Sequence, residues 1–264
     1  MDLGLKDRVA LITGGSYGIG RGCAEGLAKE GAHVSICARN KDKLDQAVSE
    51  IQSQFATKAL GVVADCSKGS DVENFIKQAV EAFGRVDILI NNAGTGSDEK
   101  IETTPDDRWQ YYWDLNTMSA IRCSRAVIPH MKKNGWGRII NISSLYAKQP
   151  GSYCPVYNVT KAAQMMFSRC LAEELVGHNI LVNNVNPGLI RTPLWEYWAG
   201  VWGKEQGLTA DQYMDDFAKE HTPIKRFCSI EELAHVIVFL CSEKNTYMMG
   251  ASVYVTGGWI KAIY

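Results

Sequence analysis

The stretch PVYNVTKAA, residues 155–163, sets Tyr157 and Lys161 four positions apart, just behind a proline. On a helix, residues i and i+4 share a face, so the phenol and the ammonium point the same way. Pro155 suits a first helical turn, where its missing N–H costs nothing. A free phenol has a pKa of about 10, and a neighbouring cation stabilises the phenolate and lowers that value. Such a pair can exchange a proton with an alcohol oxygen closer to working pH. Alone, the pair also fits an ordinary surface contact. The rest of the chain decides between the two.

A second stretch, ALITGGSYGIGRGCAEGLA (10–28), places Gly14, Gly18 and Gly20 where a strand-like run gives way to a helical one. Glycines at that junction let the backbone approach a pyrophosphate, and the helix N-terminus supplies free N–H groups and a positive dipole. Tight turns also use glycine for their own reasons. Directly after a first strand, the phosphate reading is the stronger one.

The elements that must position these groups are legible from hydrophobic runs. Residues 8–13, 33–38, 59–65, 86–94, 137–143, 180–188 and 252–258 read as strands. The first six are almost continuously apolar, as strands buried on both faces of a parallel sheet should be. Amphipathic stretches at 18–30, 41–54, 70–83, 106–132, 156–177 and 230–242 lie between them. This alternation predicts an α/β chain with a doubly wound, Rossmann-type sheet of seven mainly parallel strands, in one domain over 1–264. The irregular part is a long insertion at 189–229 containing the helical-looking TPLWEYWAGVW and TADQYMDDFAKE. Long excursions in compact domains commonly cover binding sites.

Composition narrows the function classes. A net charge of −1 and a pI near 6.5 give no electrostatic argument for nucleic acid or an anionic membrane. The eight cysteines include no C-x-x-C pair and the five histidines no H-E-x-x-H pattern, so neither a disulfide framework nor a zinc or other metal site is expected. The N-terminus shows no secretory pattern, and the apolar run ELAHVIVFLC is far shorter than the roughly 20 residues that span a bilayer. A cytoplasmic chain is the expectation.

The motifs TGGSYGIG (13–20), NNAG (91–94), NISS (141–144), YNVTK (157–161) and NPG (186–188) together resemble the short-chain dehydrogenase/reductase family, in order and context, over about residues 6–260. The resemblance implies hydride transfer between a nicotinamide cofactor and a carbonyl or alcohol substrate. It assigns Tyr157 as general acid/base, with Lys161 tuning it and binding the nicotinamide ribose. Ser144, thirteen residues before the tyrosine, would hydrogen-bond the substrate oxygen. Ser143 is the neighbouring candidate, but strand alternation turns it to the other face. Asn116, in YYWDLNTMSA, would hold a water-linked proton relay to Lys161. Cofactor contacts fall on Gly14, Ser16, Tyr17, Gly18, Ile19 and Gly20 of the first turn, and on Asn92, Ala93 and Gly94. Pro187, Gly188, Ile190 and Thr192 continue the site after the sixth strand, and Asp65 and Cys66 would meet the adenine.

Cofactor choice is read at the end of the second strand, where an acidic residue favours NAD and a nearby arginine accommodates the 2′-phosphate of NADP. Here Ala38 holds the acidic position and Arg39 and Asn40 follow, which favours NADP(H). Trp195, Trp198 and Trp202 form a stripe at i, i+3 and i+7 in the insertion. That stripe fits subunit packing and pocket lining equally. As a lining it would favour an apolar or ring-bearing substrate over a sugar. Two alternatives stand beside an NADP(H)-dependent carbonyl reductase or alcohol dehydrogenase. One is a 3-oxoacyl carrier-protein reductase, for which Lys132 and Lys133 are the candidate docking cations. The other is a catalytically silent NADP-binding sensor, which typically lacks the Tyr, Lys or Ser kept here. The resemblance implies pairing of the helices at 106–132 and 156–177 across a two-fold axis and a second interface at the last strand. With the apolar residues those helices carry, a homotetramer is expected, the usual closed arrangement beyond a dimer.

Overall fold

The computed structural model describes residues 1–96, 99–151 and 154–261. Seven strands form one sheet in the order β3-β2-β1-β4-β5-β6-β7, and every neighbouring pair runs parallel. They are β1 (Val9–Thr13), β2 (His33–Ala38), β3 (Ala59–Val63), β4 (Ile88–Asn91), β5 (Gly137–Ile142), β6 (Ile180–Pro187) and β7 (Ser252–Val255). The expected mainly parallel sheet is therefore wholly parallel. The order reverses beside β1, which opens a crevice at the carboxyl ends of β1 and β4, where ligands bind in open α/β sheets.

Helices cover both faces. On one face α1 (Gly18–Lys29), α2 (Lys41–Gln54) and α9 (Ile230–Cys241) bury Leu27, Leu44, Ile51 and Ile237 against Ile12, Ile36 and Ile90. On the other, α3 (Gly69–Phe83), α5 (Ser119–Asn134) and α6 (Pro155–Glu174) bury Phe75, Val127 and Leu171 against Leu11, Leu89, Ile139 and Val182. Strand alternation sends consecutive residues to opposite layers, so a continuous apolar strand feeds two cores.

The stretch expected as one helix over 106–132 is divided. It runs as α4 (Asp106–Trp113), a π-helical turn (Asp114–Met118) and then α5. Such turns insert a residue and often mark functional sites; this one carries Asn116. The insertion forms two helices, α7 (Pro193–Glu205) and α8 (Ala210–His221), packed on each other. Thr192 caps α7 by accepting from the Trp195 N–H, and Pro193 follows at its first position. A bridge between Ile190 and Cys228 clamps the base of the excursion, with the Cys228 N–H donating to Leu189 O at 2.9 Å.

Candidate active site

A cavity of about 580 Å³ opens at the carboxyl ends of β1, β4, β5 and β6. It gathers Gly14, Tyr17, Gly18, Ile19, Asn92, Ala93, Gly94, Tyr157, Lys161, Pro187, Ile190 and Thr192 from four separate segments. Gly18 sits at φ 61° with Thr192 the nearest atoms to a hypothetical Cβ, at 3.9 Å, so the turn presents bare backbone to the cavity. At Gly94 a Cβ would lie 2.9 Å from Asn116 Oδ1 and 3.1 Å from Lys161 Nζ. A side chain there would fill the place where those two groups meet. The glycine cradle at the start of α1 thus fits a dinucleotide pyrophosphate, and Lys161 fits the ribose beyond it.

The loop after β4 is fixed to β1 through Thr13. Its hydroxyl accepts from the N–H groups of Asn92 and Ala93 at 3.0 and 2.9 Å, and Asn92 Nδ2 donates to Thr13 O and Gly14 O. Asn116 is fully buried. Its Oδ1 accepts from Thr95 N at 2.9 Å, and Nδ2 donates to Thr95 O and to Thr160 Oγ1. The π turn aims this amide at the β4 loop and α6 together.

Tyr157 and Lys161 project from the first two turns of α6, as the spacing predicts. Lys161 is 3% exposed; its Nζ donates to Ile142 O at 2.7 Å and to Gln164 Oε1 at 3.0 Å, and lies 5.7 Å from the Tyr157 ring centre. Burial pulls the ammonium down to a pKa of about 7. The Tyr157 phenol is pushed up to about 12, chiefly by burial, against the lowering effect of its hydrogen bond with Ser144. Sequence reasoning expects Lys161 to bring the phenol down; in the folded chain desolvation instead sets the direction, upward.

The two serines have different partners. Ser143 Oγ is engaged by donating to Lys161 O at 2.8 Å, whereas Ser144 Oγ accepts from Tyr146 N at 3.2 Å and meets the Tyr157 phenol. Contrary to the alternation argument, Ser143 borders the cavity, whereas Ser144 and Asn116 are off its wall.

Other expected residues lie off the cavity wall. Ser16, Gly20 and Gly188 are in the same turns, and a Cβ on Gly20 would come within 2.4 Å of Gly14 O, so this glycine serves close packing of turn and helix. Arg39, Asn40, Asp65 and Cys66 sit at the adjacent ends of β2 and β3, where an adenosine would extend along the crevice. Arg39 is exposed and donates to Tyr111 Oη at 3.2 Å. Asn40 caps α2 by accepting from Lys43 N. Asp65 Oδ1 accepts from the N–H and hydroxyl of Ser67, and Cys66 is buried with its sulfur 3.7 Å from that of Cys37. Lys43 Nζ lies 5.7 Å from the Tyr17 ring centre, a second cation at this end.

Trp195, Trp198 and Trp202 all line the cavity, while Tyr197 beside them points outward. The tryptophans stack among themselves, with Trp198 and Trp202 centred 5.5 Å apart, and Trp195 packs on Phe217 of α8 and on Phe227. Tyr146, Cys154, Thr95 and Leu194 complete the wall and carry no motif that would single them out in the sequence. Lys132 and Lys133 end α5 just before Gly137 opens β5. That is the amino edge of the sheet, opposite the cavity, so these cations do not flank the entrance. Among the described residues no His/Cys/Asp/Glu group is placed to hold a metal, and no helix is long and apolar enough to cross a membrane.

A family model described as short chain dehydrogenase matches residues 8–200. The D-beta-hydroxybutyrate dehydrogenase of Rhizobium meliloti (strain 1021) is 31% identical, over 96% of this chain and 98% of that protein. Dehydrogenase/reductase SDR family member 4 of Homo sapiens is 34% identical, over 96% of this chain and 88% of its own length. Among solved structures, L-sorbose reductase from Gluconobacter frateurii, complexed with NADPH and L-sorbose, matches with a TM-score of 0.98 and 47% identity over 100% of both chains.

Proposed function

Since the chain belongs to the short-chain dehydrogenase/reductase family, an oxidoreductase acting on alcohol and ketone groups, we propose that it exchanges a hydride between NADP(H) and a carbonyl or secondary alcohol held under the α7–α8 cover. The carrying observation is that Tyr157 and Lys161 line one cavity with the glycine cradle, with Ser144 hydrogen-bonded to the Tyr157 phenol and Asn116 meeting Lys161 beside Gly94. The bound nicotinamide supplies or accepts the hydride at the substrate carbon. This chain's residues handle the oxygen. Ser144, already hydrogen-bonded to the phenol, holds the substrate oxygen within reach of Tyr157. Tyr157 donates its proton to that oxygen in reduction and takes one in oxidation. Lys161, facing the phenol, stabilises in its ammonium form the phenolate that reduction leaves behind. Asn116 fixes the β4 loop beside Lys161 and gives the relay its amide. With all four groups in place, a silent sensor has no support.

The tryptophan wall suits an apolar or ring-bearing substrate. A second reading, a polyhydroxy ketone, is favoured by the 47% identity to a protein solved with L-sorbose, because sugar C–H faces also pack on tryptophan rings. A panel of aryl ketones, ketoses and their alcohols, followed by reduced-nicotinamide absorbance with both cofactors, separates the two. Turnover of no carbonyl or alcohol with either cofactor would sink the proposal.

Ala38 and Arg39 support NADP(H) over NAD(H). The wild type should bind NADPH more tightly than NADH, and Arg39→Ala should weaken NADPH alone. Loss of a charge-assisted hydrogen bond predicts about ten- to a hundredfold; Lys43, beside Tyr17, places the effect at the lower end, while Lys41 is occupied by Asp45. Ala38→Asp should reverse the preference by repelling the phosphate and offering the 2′-OH an acceptor. Tighter NADH binding by the wild type would refute the reading.

We further propose a cytoplasmic homotetramer. Its support is the set of free, mostly buried cysteines among the described residues and the exposed Trp113, Val159 and Met166 on α4 and α6, apolar surface suited to pairing. Light scattering on protein from a cytosolic extract should give four chain masses. A stable monomer at micromolar concentration would exclude it.

A further inference from the structure

One side chain touching the candidate machinery has no place in the roles above. Gln164 follows Lys161 by three positions on α6 and is fully buried, and its Oε1 accepts from Lys161 Nζ at 3.0 Å. Lysine ammonium has only donors. The amide oxygen must therefore be the atom that faces Lys161, and the NH2 end must point away from it. That Nε2 has no partner among the described residues.

It opens on a polar layer that the fold builds below the cavity. Leu89, Ile139 and Val182 pack against Leu171 and Ala172 of α6, so residues two further along each strand face the same helix. Those residues are Asn91, Asn141 and Asn184, aligned across β4, β5 and β6, with Asn186 one step above. All four are buried, and among the described residues one amide atom of each lacks a partner, as does Ser168 Oγ, one turn below Gln164. Apolar residues would fill this helix–sheet interface at lower cost, since unmet buried polar atoms are expensive. Such a layer is where ordered water is held. Lys161, Gln164 and Ser168, at i, i+3 and i+7, make α6 polar on the stripe that meets it.

We propose that Gln164 is a positioning residue for Lys161, its carbonyl oxygen holding the ammonium charged and aimed at Tyr157 from the buried side, while its NH2 is solvated in the polar layer. The inference rests on the proposed role of Lys161. No ionised partner shares this task. Lys161 is faced by Tyr157 on its own helix, by Ser143 and the Ile142 carbonyl on β5, by Gly94 after β4 and by Asn116 on the π turn. None is a carboxylate or a second cation, and burial alone accounts for the low affinity of Lys161 for its proton.

Two substitutions test this in opposite directions. Gln164→Met keeps the volume and removes the acceptor oxygen. Gln164→Glu keeps an oxygen and adds a charge. Lys161 is titrated directly by the NMR shift of its 13Cε, assigned with Lys161→Arg, and the pH profile of carbonyl reduction is recorded alongside. Gln164→Met should move the Lys161 titration down by about one pH unit, the equivalent of a tenfold change. Reduction should fall on the alkaline side at correspondingly lower pH, by about tenfold within that window. Gln164→Glu should move both upward, which keeps a test available if the Met variant fails to fold. A Lys161 titration unmoved by either variant overturns the inference. If the titration moves as expected but the reduction profile does not, Gln164 still sets the state of Lys161, and it is the proposed catalytic role of Lys161 that fails.

Discussion

Replacing Tyr157 by phenylalanine leaves a folded protein that has lost about 10²–10⁴-fold in turnover, the usual worth of a positioned acid/base. The ring that borders the cavity stays, and Ser144 keeps its acceptor role toward Tyr146 N. Cofactor affinity should hardly change, because Lys161 remains anchored on Ile142 O and Gln164. The loss should fall equally on kcat and kcat/KM, the signature of an interaction made in the transition state. Stability should follow the parent through the neutral range. The phenol is raised from its ordinary value to about 12, so any stability it contributes is fully present below about pH 10 and is lost only as pH rises through 12. Steady-state kinetics on both proteins with a substrate from the panel settles it. Near-parental turnover would remove Tyr157 from the mechanism.

Lys161→Met should abolish most activity and weaken the cofactor, and it should also change how stability responds to pH. In the folded chain burial depresses the lysine from its ordinary 10.5 to about 7. Between those values the unfolded chain binds the proton and the folded chain does not. Stability of the parent therefore rises with pH across that window, by up to about 1.4 kcal/mol per unit, and the contribution is flat below about pH 7, where both states are charged. The Met variant lacks this slope. Its unpaired Ile142 carbonyl and Gln164 amide cost something at every pH, so the slope, not the absolute difference, is the readout. Urea unfolding of both proteins from pH 7 to 10 measures it. Parallel stability curves would mean that Lys161 keeps an ordinary pKa in its pocket.

The sequence makes the frame of this site legible and leaves its walls obscure, for physical reasons. Strand β2 and helix α2 fall on the expected residues because apolar runs and the Asn40 cap are local signals. Tyr157 and Lys161 share a face because a helix of known pitch fixes them. The split of 106–132 into α4, a π turn and α5 is not legible. No residue type encodes an inserted residue; the turn is held by tertiary partners, Thr95 and Thr160, that bind the Asn116 amide from distant segments. The raised phenol has the same origin, since charge proximity can be read from spacing but desolvation cannot. Tyr146, Cys154 and Gln164 escaped notice because each acts through a neighbour that only the fold supplies. The tryptophan stripe could be seen but not assigned, because lining and packing use the same helical periodicity. The α7–α8 pairing turns it inward.

The strand order also governs how the chain comes into being. β1 emerges first during synthesis, yet it lies inside the finished sheet, flanked by β2 on one side and β4 on the other. Val9 N is met by Asp87 Oδ2 from 78 residues later. Until β4 has been made, one edge of β1 offers its N–H and C=O groups, with Val9, Ala10, Leu11 and Ile12 around them, to any strand at hand. The β1–β2–β3 half is joined by single helical crossovers, α1 and α2, whereas the β1–β4 pairing closes a far longer stretch of chain, the kind of non-local contact that slows folding. The crevice where β1 parts from β2 and meets β4 is thus the last seam of the amino-terminal half to close, and the binding site forms only when it does.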